Sequence, residues 1–281
     1  MSISALSVSQ IRALSTTAIQ SLSTTSIQSL TTTQVGAFTT TGIGALSSTQ
    51  FGNFSTTQVR ALATTQIPSI NSSVSFTSNQ LLVLTAQQLG VLATAQVATI
   101  ETTAIQGFSI TQIGGFSSTN LSSLDQTQAA ALTTTQIGAF STTQVGGLNA
   151  TDIGELTATQ VGAITRTQIA RLGTESVAAL DTTQMAAIGT TVLQALTTSQ
   201  LGALEAADIS EFTTTQIANL STTQIRTLNT TFLSGLSDTQ VAALTTTQLG
   251  ALTTTNLSAL DGTQAAERRE VRRGERAELG R

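Results

Sequence analysis

The sequence predicts an all-α solenoid, a superhelix of very short capped helices with one helix in each eight-residue repeat. Three observations carry this reading. A large apolar residue recurs at every eighth position, from Leu6 to Ile70 in one phase and from Phe76 to Leu260 in a second. A second apolar residue follows five places later in nearly every repeat, as in Val35, Ile43, Phe51, Val59, Ile137, Val145, Ile217 and Leu249. The residue after the first apolar position is Ser, Thr, Asn, Asp or Gly in 27 of 31 full repeats, the set that favours a helix N-cap.

The elements of one repeat follow in order, with the consensus L-[ST]-T-T-Q-[IV]-[GA]-A. The leading Leu occupies the position before the cap, and Ser or Thr is the cap. Gln stands three places after the cap in 20 of 31 repeats, so that cap and Gln form a capping box. Leu30-Thr31-Thr32-Thr33-Gln34-Val35 shows the arrangement. Leu and the following Ile or Val then have the spacing of a hydrophobic staple. The next Leu ends the helix and opens its successor.

A β-solenoid is the alternative. Thr, Val and Ile favour strands, and Gly six places after the leading residue of many repeats costs about 1 kcal/mol in a helix relative to Ala. Against it, apolar offsets of zero and five have opposite parity, so a simple strand would turn one of them outward. A lone repeat buries too little to offset the entropy of ordering eight residues, so stability must come from stacked neighbours.

Four segments result. Residues 1–69 and 76–264 are octapeptide arrays, and 70–75 is a six-residue unit preceded by Pro68. The missing two residues are expected either to interrupt the register and mark a bend or junction, or to be a neutral deletion in a loop. Residues 265–281, AAERREVRRGERAELGR, hold six of the 11 Arg residues and four of the 15 acidic ones. Arg268, Arg269, Arg272, Arg273 and Arg276 could contact an acidic partner or a lipid surface. A solvated helix, or the end of a truncated or shifted reading frame, is the other reading of this tail.

Composition restricts the chemistry. The chain has no Cys, His, Trp, Tyr or Lys, and only 9% of its residues are charged, with a net charge of −4. No disulfide framework or metal-ligand set is expected, and no cofactor. Asp152, Glu155, Asp208 and Glu211 are scattered substitutions within the repeat, and Asp152 and Asp208 fall where a carboxylate suits a helix N-terminus. Gly36 and Gly146-Gly147 recur with the repeat and have no phosphate-loop Lys, so no catalytic residue is assigned and no enzyme is expected.

Leu156-Thr-Ala-Thr-Gln-Val161-Gly-Ala-Ile164 resembles the opening of a TAL-effector repeat, but that repeat is several times longer and needs positive charge. Nucleic acid is therefore not an expected partner for this acidic array. No apolar run approaches the roughly 18 residues of a membrane span. The N-terminal MSISALSVSQ lacks a basic region followed by an apolar core, so no ordinary signal peptide is expected.

From Leu6 to about Gln264 the array resembles the L-[ST]-x-x-Q-[IV]-x-A octapeptide repeats of large bacterial surface and adhesin-like proteins. The resemblance implies an exported or cell-surface spacer or adhesive array, with export through a C-terminal signal as one route. No catalytic residue transfers from it, and the Arg-rich tail departs from it. Self-association into filaments, a surface or cell-envelope ligand, and ice- or crystal-surface binding through Thr columns are further expectations, since Thr stands third after the leading residue in 24 of 31 repeats.

Overall fold

The computed structural model describes residues 3–258 and 260, and every regular element among them is a helix. No strand occurs among the described residues, so the helical reading holds and the β-coil alternative falls. The chain divides into two compact units, Met1–Ala139 and Phe140–Arg281. The Arg-rich tail from 265 onward lies outside the described residues.

In the first unit the α-helices are four to six residues long, beginning Val8–Arg12, Thr16–Gln20, Thr24–Gln28 and Thr32–Ala37. Each is delimited by its own eight residues. At Thr32–Ala37 the cap Thr31 is extended (φ −75°, ψ 158°), and its hydroxyl accepts from the Gln34 N–H. Gln34 Oε1 accepts from the Thr31 N–H at 2.9 Å, and the Val35 N–H donates to the Thr31 carbonyl at 2.9 Å. The Phe38 N–H is the last helical donor, reaching the Val35 carbonyl at 3.3 Å, and Phe38 then turns extended (φ −57°, ψ 140°). No described residue needs a positive φ, so each helix ends without a left-handed residue.

Each helix packs against the third helix on from it: Val8–Arg12 against Thr32–Ala37, Thr16–Gln20 against Thr40–Gly44, Thr24–Gln28 against Ser48–Gly52. Three repeats therefore make one turn. The leading Leu and the later Ile or Val from all three point inward, as with Leu30, Val35, Leu46 and Val59. Phe51 fills a wider layer, edge-on to Phe54 at 5.5 Å and to Phe76 at 5.0 Å.

The second unit repeats the scheme from Thr142–Gly146 to Thr254–Ser258. Ala158–Val161 packs against Thr182–Ala187, and Ala206–Ser210 against Thr230–Gly235. Where Phe232 replaces the usual Gln it is fully buried, edge-on to Phe212 at 5.8 Å.

The buried Gln column binds turn to turn. Gln136 is 3% exposed, and its Nε2 donates to the carbonyls of Ile105 and Phe108, each at 2.8 Å. In the second unit Gln200 donates to Ile169 and Leu172, again at 2.8 Å. These acceptors lie 31 and 28 residues earlier. Ile105 and Ile169 lie in the last turn of the helix beneath, where each carbonyl also accepts from the N–H three residues on, and the Phe108 and Leu172 carbonyls lie just past the helix end. One Gln thus seals the start of its own helix and the end of another. Shorter donors do part of the same work: Asn120 Nδ2 reaches the Leu92 carbonyl at 2.8 Å, and Ser176 Oγ the Leu148 carbonyl at 2.9 Å.

The six-residue unit has no α-helix. Ile67–Ser69 is a 3-10 turn containing Pro68, and the Val74 N–H closes the next turn onto the Asn71 carbonyl at 2.8 Å. The Gln ladder crosses it in phase. Gln80 and Gln88 donate to Phe54 and Leu62 over 26 residues instead of 28, and by Gln112 the span to Leu84 is 28 again. Gln96 makes a cross-turn bond to the Ile67 carbonyl at 3.1 Å, and Val74 of the six-residue unit is buried at 1% exposure.

Candidate functional site

The polar side chains that recur most, the cap hydroxyls and the Gln amides, are consumed by the fold. What remains on the outside is chiefly the Thr pair that follows each cap. In the first unit Thr16, Gln20, Thr40, Thr41, Gly44, Ala45 and Ser69 line an open groove of about 580 Å³. In the second, Thr230, Thr231, Ser234, Thr255 and Ser258 line one of about 450 Å³. Both are uncharged and lined by hydroxyls. They offer hydrogen bonds but no nucleophile with a base beside it.

Charge gathers at one place, in the second unit. Glu175, Glu205 and Asp208, with Thr174, Ala178 and Ala203, line a groove of about 350 Å³. Glu211 is nearby: Thr182 Oγ1 donates to its Oε1 at 3.3 Å, while its buried Oε2 has no partner among the described residues. Partial burial is the main reason its carboxyl titrates above the usual range; Asp208 and Asp181 add to this, and the Thr182 hydroxyl opposes it. The exposed Asp181 is shifted down, first by the Thr183 hydroxyl at 2.6 Å and then by the Gln184 N–H at 2.8 Å. No group of three or more acidic residues among the described ones is arranged to hold a metal ion.

The four acidic residues weighed from sequence separate into roles. Asp152 is buried, and its Oδ2 accepts from the Asn149 N–H at 2.8 Å, as Gln does elsewhere. Asp208 accepts from the Glu205 N–H at 2.8 Å in the same way. Glu155 ends the helix Ala150–Gly154 as its C-cap, and Glu211 caps Ala206–Ser210. Gly36 and Gly146 lie inside helices, not in phosphate-binding loops.

Sequence reasoning found the capping role of Gln and missed its second role as donor to the turn beneath. A sign was present. A capping box accepts Glu as readily as Gln, yet Glu stands at that position in none of the 31 full repeats. A carboxylate could receive the cap N–H but would face two carbonyls with nothing to donate.

Three segments, 3–40, 177–214 and 217–254, match the model of the ALTTAQ repeat. The matches begin at Ile3, Val177 and Ile217, the same staple position each time. The chain is therefore a repeat protein with ALTTAQ-like segments in both units. No curated protein matches it.

Proposed function

We propose that this chain is a non-enzymatic structural or adhesive repeat array that acts at the cell surface or after export. The observation that carries the reading is the division of labour within the repeat. Cap hydroxyls and Gln amides hold the solenoid together, which leaves rows of Thr and Ser hydroxyls as the recurring outward chemistry. Such rows suit many weak polar contacts repeated along a surface, and among the described residues no convergent acid and base pair competes with that reading. The bacterial octapeptide arrays that the sequence resembles point the same way.

Ice- or crystal-surface binding fits less well. Stacked helices set rows about 8–10 Å apart, whereas a β-ladder would set them about 4.7–4.9 Å apart on a flat face.

The test is accessibility on living cells. Antibody against residues 76–258 should label intact cells of the source organism or its culture supernatant, and deletion of the gene should weaken attachment to surfaces. Labelling that appears only after lysis would remove the surface reading.

A further inference from the structure

Seven of the eight asparagines stand in N-x-S or N-x-T triplets, the acceptor pattern for N-linked glycans. The structure separates them sharply. Asn120 and Asn256 are buried, and their Nδ2 groups donate to the carbonyls of Leu92 and Leu228. The Nδ2 groups of Asn53, Asn219 and Asn229 donate to the carbonyls of Thr49, Thr215 and Gly202. Asn149 caps Ala150–Gly154, accepting from the N–H groups of Thr151 and Asp152.

Asn71 is exposed and lies in the six-residue unit, outside any helix. Asn149 is exposed as well, but its Oδ1 is committed to a helix N-terminus, whereas Asn71 caps no helix. The Oδ1 of Asn71 accepts from both the N–H and the hydroxyl of Ser73, each at 3.0 Å, and its Nδ2 makes no hydrogen bond among the described residues.

We propose that Asn71 is a modification site, the acceptor of an N-linked oligosaccharide delivered from a lipid diphosphate carrier. In the transfer, the Asn71 nitrogen forms a bond to the anomeric carbon of the sugar, and the bond from that carbon to the diphosphate oxygen breaks. The lipid diphosphate leaves with the electron pair, and the nitrogen gives its proton to a base of the transferase. Two donors on Oδ1 draw density from the amide and make its N–H more acidic, which eases that loss. The six-residue unit thus places a triplet Asn on an exposed turn with a nitrogen that the fold does not use. Transfer in the cell rests on the exported or surface location proposed above; the acceptor chemistry does not.

The experiment uses the folded full chain, its helicity checked by circular dichroism. It is incubated with a single-subunit oligosaccharyltransferase that needs only the triplet, and with a lipid diphosphate-linked oligosaccharide. Glycopeptide mass spectrometry should find one glycan per chain, all of it on Asn71, lost in N71Q and S73A and kept in S73T. A free peptide of residues 67–76 reports that the transferase is working. Modification of that peptide without the folded chain, or modification of the folded chain at Asn149 or Asn229 in place of Asn71, would overturn the proposal. A chain found only inside cells would sink the surface reading and leave this result standing.

Discussion

A buried Gln that serves two helices at once makes the choice between amide and carboxylate decisive. At Gln136 the Oε1 takes the Thr133 N–H at 2.8 Å while Nε2 supplies Ile105 and Phe108. Gln136→Glu keeps the acceptor and removes the donors, so at neutral pH it should cost about 2–4 kcal/mol from a buried charge facing unsatisfied carbonyls. The folded state would raise the pKa of that carboxyl, because protonation restores one donor. The loss should therefore be smallest below the ordinary glutamate value and grow as pH rises through the folded value. Urea midpoints of the variant at pH 4 and pH 7 check this; equal losses at both would contradict the donor role. Glu211 has the same sign natively, since partial burial raises its carboxyl. Its favourable contribution is present below the ordinary glutamate value and fades as pH climbs. Glu211→Gln should thus raise the thermal midpoint slightly at pH 7 and leave it unchanged at pH 4, as read by scanning calorimetry.

At the ends of helices, glycine has two meanings that composition alone merges. Gly52 ends Ser48–Gly52, and a Cβ built there would meet nothing within 4 Å. Gly52→Ala should stabilise by about 0.4–1 kcal/mol, by limiting the unfolded chain. Gly115 is the opposite: a Cβ would run into the backbone of Ala86, and one on Gly90 would lie 2.5 Å from the Gly115 carbonyl. Gly115→Ala should cost about 1–3 kcal/mol, since backbone must shift to admit it. Chemical denaturation of both variants checks the opposite signs. The pair also shows what the sequence could reveal. Cap, box and staple were legible because Leu30, Thr31, Gln34 and Val35 interact within a single repeat. The close approach at Gly115 and the nearness of Glu211 to Asp181 were not, because their partners lie about one turn of the solenoid away. Nor does the sequence show three repeats per turn. Every repeat has the same pattern, so the eight-residue period leaves no 24-residue one to detect. The roles of Asp152 and Asp208 as cap partners were legible for the same local reason as the box.

Across a whole unit the structure has a translational symmetry that limits which changes in length it can absorb. Away from the six-residue unit, ladder residues such as Gln200 and Gln216 find their acceptors 31 and 28 residues earlier, and any eight-residue step leads to an equivalent Leu and Ile. Removing one complete repeat shifts later residues by one place in the turn and still leaves each Gln over a Leu carbonyl. The natural six-residue unit shows that a shortfall of two is tolerated where Val74 plugs the gap, although Gln96 keeps only its bond to Ile67, at 3.1 Å. A shortfall of four has no such remedy, since it would set the inward Leu column against Gln positions and the Ile or Val column against exposed cap positions. Deleting 196–203, a full repeat, should therefore leave the helical circular dichroism per residue unchanged and the denaturation midpoint close to that of the parent. Deleting 197–200, half as many residues but including the Thr197 cap and Gln200, should lower the midpoint substantially and open the neighbouring turns to hydrogen exchange. The comparison weighs register against length, because the smaller deletion removes less structure and is expected to do more damage. If the eight-residue deletion proved the more harmful, stability would depend on the identity of particular layers, and the repeats could not be treated as interchangeable.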